Sequence, residues 1–451
     1  MRTLRLLPAA LAASVLFAPQ SASANGRFPL ADQLVVDPSD PSHLVLRTTY
    51  GIVQSTNGGS SWSWTCESAV GYGGTQDPAI GVLADGTILA GIFEGLAVSH
   101  DRGCSWAFAA APLESEYTID VSVHRDDPSQ AVAITSTGKG DNGFHVILAE
   151  TKDNGATWSQ AGNAILSDLI ALTVDVTPSM PERVYASGLV GKALAPALER
   201  TDNRGMSWTR TYLDAAYAKG VPFIAGIDPT NPDRVYLRLS GTTADNTMPL
   251  DRLLVSDDGA ATFKEVYAGE GDLLGFALSP DGKRVVIGGP KDGIRIADAV
   301  DLVFEKVSSV YTRCLTWTAA GLYACGNEFQ DGFTVGLSND EGKTFKPIYH
   351  LKDICPLECP AGAKSPEACE QSWPGIAATL GIEPPACGIV GPTTSSASSG
   401  GASASSGGGG DEGGCGCRLG SSPREEAVIA SIACGLGLGL ARRARRRRAS
   451  R

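Results

Sequence analysis

The chain has 451 residues, 43% of them hydrophobic and 19% charged, which leaves room for one large domain or two to three ordinary ones. Its formal net charge is −12, but nine arginines lie in ends that hold no acids (Arg2, Arg5 and seven from Arg442 onward), so residues 25–441 carry −21. A body that acidic excludes nucleic acid and anionic lipid headgroups as its partners.

Residues 1–24 combine Arg2 and Arg5, the apolar run LLPAALAASVLFA and the small residues Ala22-Ser23-Ala24. That order is the one a secretory signal peptide has, so the mature protein is expected to start near Asn25.

From there to residue 352 one phrase keeps returning. STNGGSSW starts at Ser55, SHDRGCSW at Ser99, TKDNGATW at Thr151, TDNRGMSW at Thr201, SDDGAATF at Ser256 and SNDEGKTF at Ser338. The gaps are 44, 52, 50, 55 and 82 residues, and the last splits into 41 and 41, because IRIADAVDLVFEKV from Ile294 aligns with LLVSDDGAATFKEV from Leu253. A seventh copy is therefore present with its polar groups lost and its aromatic, Phe304, kept. Upstream of each copy an apolar alternating run ends in a turn (LVVDPSDP, IGVLADG, VSVHRDDP, LTVDVTPSMP, AGIDPTNP, FALSPDG, LTWTAAG) and a second apolar strand follows. Strand, turn, strand, loop, strand, phrase, strand, at a period of 40–50 residues, predicts an all-β, seven-bladed β-propeller. FPLADQLVVDP is then the inner strand of the first blade and FKPIYHL the outer strand of the last.

The letters of the phrase explain its work. A glycine supplies the positive φ of a tight hairpin, the acid or amide accepts main-chain N–H groups of the same turn, and the aromatic buries beneath it. The phrase resembles the Asp-box, or BNR repeat, of sialidases, sortilin-type receptors, xyloglucan-cleaving glucanases and photosystem assembly factors. That resemblance covers residues 28 to about 350, with Asn57, Asp101, Asp153, Asn203, Asp258 and Asp340 as box acids or amides and Trp62, Trp106, Trp158, Trp208, Phe263 and Phe345 as box aromatics. It implies a structural hairpin at the blade periphery and says little about activity. Cys66 lies four residues past Trp62 and Cys104 inside the second box, so a bridge between them is expected to tie blade 1 to blade 2. Cys314 and Cys325 flank the turn TAAG and are expected to bridge across a hairpin.

Propellers place ligands at the mouth of the central channel, on loops that lead into each inner strand. Counting back from the inner-strand turns gives Asp77, Tyr117, Asp168, Asp272 and Tyr311, with Arg313 two residues further and Lys219 ahead of the fifth inner strand. The carboxylates Asp77, Asp168 and Asp272 are the candidates for acid–base work on a glycosidic bond, and Tyr117, Lys219, Tyr311 and Arg313 for binding. The sialidase version of such a site fares worse, because RFPL at Arg27–Leu30 scrambles the F/Y-R-I/L-P motif of that family. The five histidines (His43, His100, His124, His145, His350) never fall at metal spacing, so no metal or cofactor is expected. The favoured function is non-catalytic capture of an extracellular protein or glycan by a monomer; the alternative is a glycoside hydrolase, sialidase-like or glucanase-like.

Residues 353–388 hold Cys355, Cys359, Cys369 and Cys387, a small disulfide-rich extension whose connectivity the spacing leaves open. In an exported chain disulfides are the default, and the C-x3-C-x9-C-x17-C spacing lacks the knuckles of a zinc site. Residues 389–414 collapse into Gly and Ser and read as a disordered linker. Residues 415–451 carry Cys415 and Cys417, the 15-residue apolar segment 427–441 as a short hydrophobic helix, and the terminal arginines. Their order resembles the MYXO-CTERM sorting tail, which implies a membrane-inserted end, a sorting protease acting near Cys415 and Cys417, and display at the cell surface or outer envelope, with release after processing as a variant.

Overall fold

The computed structural model describes residues 27–241, 250–383 and 387. It is a seven-bladed β-propeller with few helices. The blades are residues 31–65, 79–108, 118–160, 169–212, 221–268, 275–308 and 314–349, each a four-stranded antiparallel meander; the strands are consecutive except in the third blade, where a small hairpin, Thr137–Gly138 with Phe144–His145, stands between the second and third strands. The first strand of every blade packs against the first strands of both neighbours, from Ala31–Val36 in blade 1 round to Cys314–Thr318 in blade 7 and back. The ring is therefore closed, and the first strands surround the channel.

The core is divided the same way. Seven clusters of buried side chains sit one at each blade interface, and each takes in one aromatic at the eighth position of the repeated phrase: Trp62, Trp106, Trp158, Trp208, Phe263, Phe304 and Phe345. Each ring belongs to the later blade of its interface, so the repeated aromatic cements a blade to the one before it. Trp62 shows this at the closing seam, where its indole N–H donates to the Ile348 carbonyl of blade 7 at 2.8 Å.

Six of the seven hairpins joining the outer two strands share one turn. In blade 3, Thr151 Oγ1 donates to Asp153 Oδ1 (2.9 Å) and accepts the Gly155 N–H (3.0 Å), while Asp153 accepts the Thr157 N–H (2.9 Å) and hydroxyl (2.6 Å). Two successive residues must take positive φ, Asn154 at 55° and Gly155 at 77°, which is why a glycine recurs there. Blade 5 reverses the pair: Gly259 comes first and Ala260 takes φ 66°. Where Asn replaces Asp the hydrogen bond reverses too, with the Asn57 and Asn203 amides donating to Ser61 and Ser207 hydroxyls at 2.8 and 2.9 Å. The blade 6 hairpin keeps Phe304 but has no hydroxyl–carboxylate pair; Leu302 alone turns left-handed, at φ 52°.

The extension corrects one expectation. Cys66 does not bridge to Cys104; Cys66 pairs with Cys369 and Cys104 with Cys359, while Cys314–Cys325 forms across its hairpin as expected and Cys355 joins Cys387. Leaving blade 7, the chain crosses to the outer edge of blade 1, where Ile354–Pro356 pairs in parallel with Trp62–Thr65 as a fifth strand. That crossing carries Cys359 to the blade 2 hairpin and Cys369 to the end of the last blade 1 strand. The extension is thus no separate knot. Among the described residues no helix is long and apolar enough to cross a membrane. The signal peptide, the linker and the tail with Cys415 and Cys417 lie outside the described residues.

Candidate functional site

In a four-stranded meander, the hairpins between strands one and two and between three and four share one end, and the remaining connections share the other. All the predicted site residues fall at that second end, ahead of the first strands.

Asp77 is held by Arg27, whose Nη2 donates to both carboxylate oxygens at 2.7 and 2.8 Å. Asp168 accepts from Arg210 at 2.9 Å, and that guanidinium holds its carboxyl below the ordinary value. Arg210 also pairs with the buried Glu199. Asp272 is half-buried, and its charge helps raise the pKa of the buried Asp251, where desolvation is the leading cause. These three acids stand on blades 2, 4 and 6, so no two of them occupy adjacent blades. Tyr117 packs its ring 5.7 Å from Phe93, and Tyr311 donates its N–H to Asp331 at 3.1 Å. Lys219 is exposed on a recess of about 120 Å³ with Tyr217, Leu239 and Arg252. Arg313 is only 6% exposed and bonds Asp32 at 2.6 Å across the seam of blades 7 and 1, so it serves ring closure rather than the mouth.

Sequence reasoning misses two features. The first is an exposed aromatic pair at this end of the same seam: Phe28 is 53% and Phe329 71% exposed, with ring centroids 5.6 Å apart in an edge-on arrangement. Phe329 rides on the short helix Glu328–Asp331, capped by the Asn327 side chain, and beside it Glu328 orients the His350 ring at 2.9 Å. Nothing in the local letters separates these phenylalanines from core ones.

The second is a pair of aspartates on the channel wall between blades 3 and 4. Asp120 accepts the N–H groups of Val121 and Val174, both at 2.9 Å, and Asp175 accepts the Ser122 hydroxyl at 3.1 Å. Burial, joined by the negative charge of Asp175, pushes the Asp120 carboxyl up to about 8 against main-chain donors and Arg47. Burial likewise pushes Asp175 up to about 7. An acid inside the alternating runs TIDVSV and LTVDV was the available signal. At the hairpin end of the channel, Arg125 of blade 3 reaches the Pro280 carbonyl of blade 6 at 2.7 Å and spans the opening.

The sequence matches no protein-family model and none of the curated proteins. Among solved structures, the fold is similar to that of an ancestral GH74 enzyme, at 17% identity and a TM-score of 0.52 over 70% of this chain and 46% of that one. It is also similar to YCF48 from Cyanidioschyzon merolae (13% identity, TM-score 0.46, 66% and 92% covered) and to Kuenenia stuttgartiensis hydrazine synthase (12%, 0.46, 68% and 95%). The chain thus spans less than half the length of the GH74 enzyme, and at these identities the likeness is one of fold.

Proposed function

We propose that the chain is an exported, surface-displayed Asp-box propeller that binds a protein or glycan ligand without catalysis, through the face opposite its repeated hairpins. The observation that carries this reading is the Phe28–Phe329 pair, two largely exposed rings on a face where large apolar groups stay in water at a cost unless a ligand covers them. The state of the acids supports it. A glycosidase acting at this mouth needs a carboxyl there that holds its proton near neutral pH, yet Asp168 is pushed the other way by Arg210; the raised carboxyls, Asp120 and Asp175, belong to the channel wall and are engaged by Val121, Val174 and Ser122. Export and display rest on the residue 1–24 signal and the MYXO-CTERM-like tail, with Cys415 and Cys417 at the processing point.

The test is an array of glycans and secreted proteins probed with the mature chain and with a Phe28→Ala/Phe329→Ala variant. A ligand whose binding the double variant loses supports the proposal. Release of reducing sugar from a polymer, abolished by Asp77→Asn or Asp168→Asn, replaces it with the hydrolase.

A further inference from the structure

Blades 2 to 7 lie wholly inside one covalently closed loop. The Cys66–Cys369 bridge joins residues 303 apart in sequence, from just after the last strand of blade 1 to beyond the last strand of blade 7. A second bridge, Cys104–Cys359, closes a loop of 255 inside it, and Cys355–Cys387 ties the far end of the extension back to the strand that lies against blade 1. Every crosslink of the extension therefore lands on itself or on blade 1 or 2.

We propose that residues 354–383, with Cys387, form a shackle that carries mechanical load between the tail and the binding face while leaving blades 2 to 6 out of the load path. The reasoning is topological. Tension applied between the two ends of a chain follows the shortest covalent path, and here that path leaves the polypeptide at Cys66, re-enters at Cys369 and reaches Cys387 directly or through Cys355. Blade sheets are held by hydrogen bonds and packing, which yield to force long before a disulfide does. Under tension between the two ends, the chain between Cys66 and Cys369 feels no pull while the bridge stands; under tension on Phe329, only its run to Cys355 does. The exposed aromatic pair is placed to use this arrangement: Phe28 lies on the short run leading to Cys66, and Phe329 on the run leading to Cys355. A pull on either ring reaches the tail through blades 1 and 7, the two to which the extension is fastened or joined, and never through blades 2 to 6. The burial of Cys66, Cys104 and Cys369, at 3%, 7% and 6% exposed, keeps those sulfurs from exchange with outside thiols.

The biological use of the shackle rests on the C-terminal tether proposed above; its mechanics do not. The full mature chain, held in an optical trap by handles at its two ends, is stretched to full unfolding with and without reductant. The expected result is that the oxidised chain extends about 100 nm less than the reduced one, the reach of a 303-residue loop at roughly 3.5 Å per residue. A Cys66→Ala/Cys369→Ala variant, oxidised, should lengthen by only about 10 nm, because Cys104–Cys359 takes over as the shortest path. Equal extension of the oxidised and reduced wild type overturns the proposal. Antibody labelling of intact cells decides the tether separately: chain found only in the medium removes the load while leaving the trap result unchanged.

Discussion

The aspartates of the outer hairpins and those of the channel wall are the same residue in opposite circumstances. Asp258 and Asp340 stand in water, accept two hydrogen bonds each from the threonine four residues on, and have their carboxyls pulled down to about 2. Asp120 and Asp175 accept fewer donors and are buried on the channel wall, Asp120 also facing the charge of Asp175, and theirs rise to about 8 and 7. A carboxylate stabilises this fold where donors surround it and solvent remains, and strains it where burial outruns the donors. The blade 6 hairpin adds a third case: with the aspartate of the phrase absent and the aromatic kept, the blade still forms. In the hairpins, packing thus outranks the polar turn.

The strongest way to break that ranking is at the aromatics. Trp158→Ala removes a ring only 9% exposed and is expected to cost about 3 to 5 kcal/mol in urea unfolding; an unchanged midpoint makes the hairpin ornamental. Phe304→Ala in blade 6 should fall at the low end, about 3 kcal/mol, since its ring is only half-buried.

The channel pair gives the next effect, and its sign opposes that of the hairpins. Because the native Asp120 carboxyl sits near 8 and an unfolded one near 3.9, the native chain holds a proton the unfolded chain has released between those values. Wild-type stability therefore falls as pH rises through that window. Asp120→Asn should gain on the wild type by up to about 1.4 kcal/mol per pH unit from pH 5 to 7. Parallel stability curves for the two proteins would remove the strain from the channel. For Asp258 and Asp340 the direction is reversed: their contribution is present above about pH 4 and lost as pH falls toward 2, so replacing both by Asn should flatten the acid limb of the unfolding curve.

A smaller loss follows Thr151→Val, which keeps the shape of a buried side chain but leaves the Gly155 N–H without its acceptor, at about 1 to 2 kcal/mol by thermal unfolding. Smallest is Ala297→Ser in blade 6. A hydroxyl restored without the two-residue left-handed turn finds no N–H to accept, and the change should stay within about 0.5 kcal/mol; a larger gain would mean that the lost polar network had been worth more than packing suggests.

Much of this was legible because it is local. Ala297 and Phe304 could be aligned with Ser256 and Phe263 although Asp258 and Thr262 between them had become Ala299 and Val303, since the spacing of turn and aromatic survives. Cys314 and Cys325 were paired by a turn of four residues between their strands. Cys66 and Cys104 were matched to each other on the same logic of nearness, and there it failed, because their partners arrive from 303 and 255 residues away on a segment with no periodic signal. Asp120 was passed over for Asp77 and Asp168 because loops are where ligands are usually met, whereas the exposed end of Phe329 depends on which side of blade 7 its short helix faces.

By itself the sequence determined the blade: alternation sets strands, glycine and a small acid or amide set the hairpin, and the recurring aromatic announces seven interfaces. Each needs only a dozen neighbouring residues to specify it. Tertiary structure alone decided what seven blades do once they meet: that blade 7 closes on blade 1 through Arg313 and Asp32, that the extension fastens to blades 1 and 2, and that two aspartates from different blades share one channel. Those outcomes depend on closure of the ring, which brings together residues that no local pattern relates.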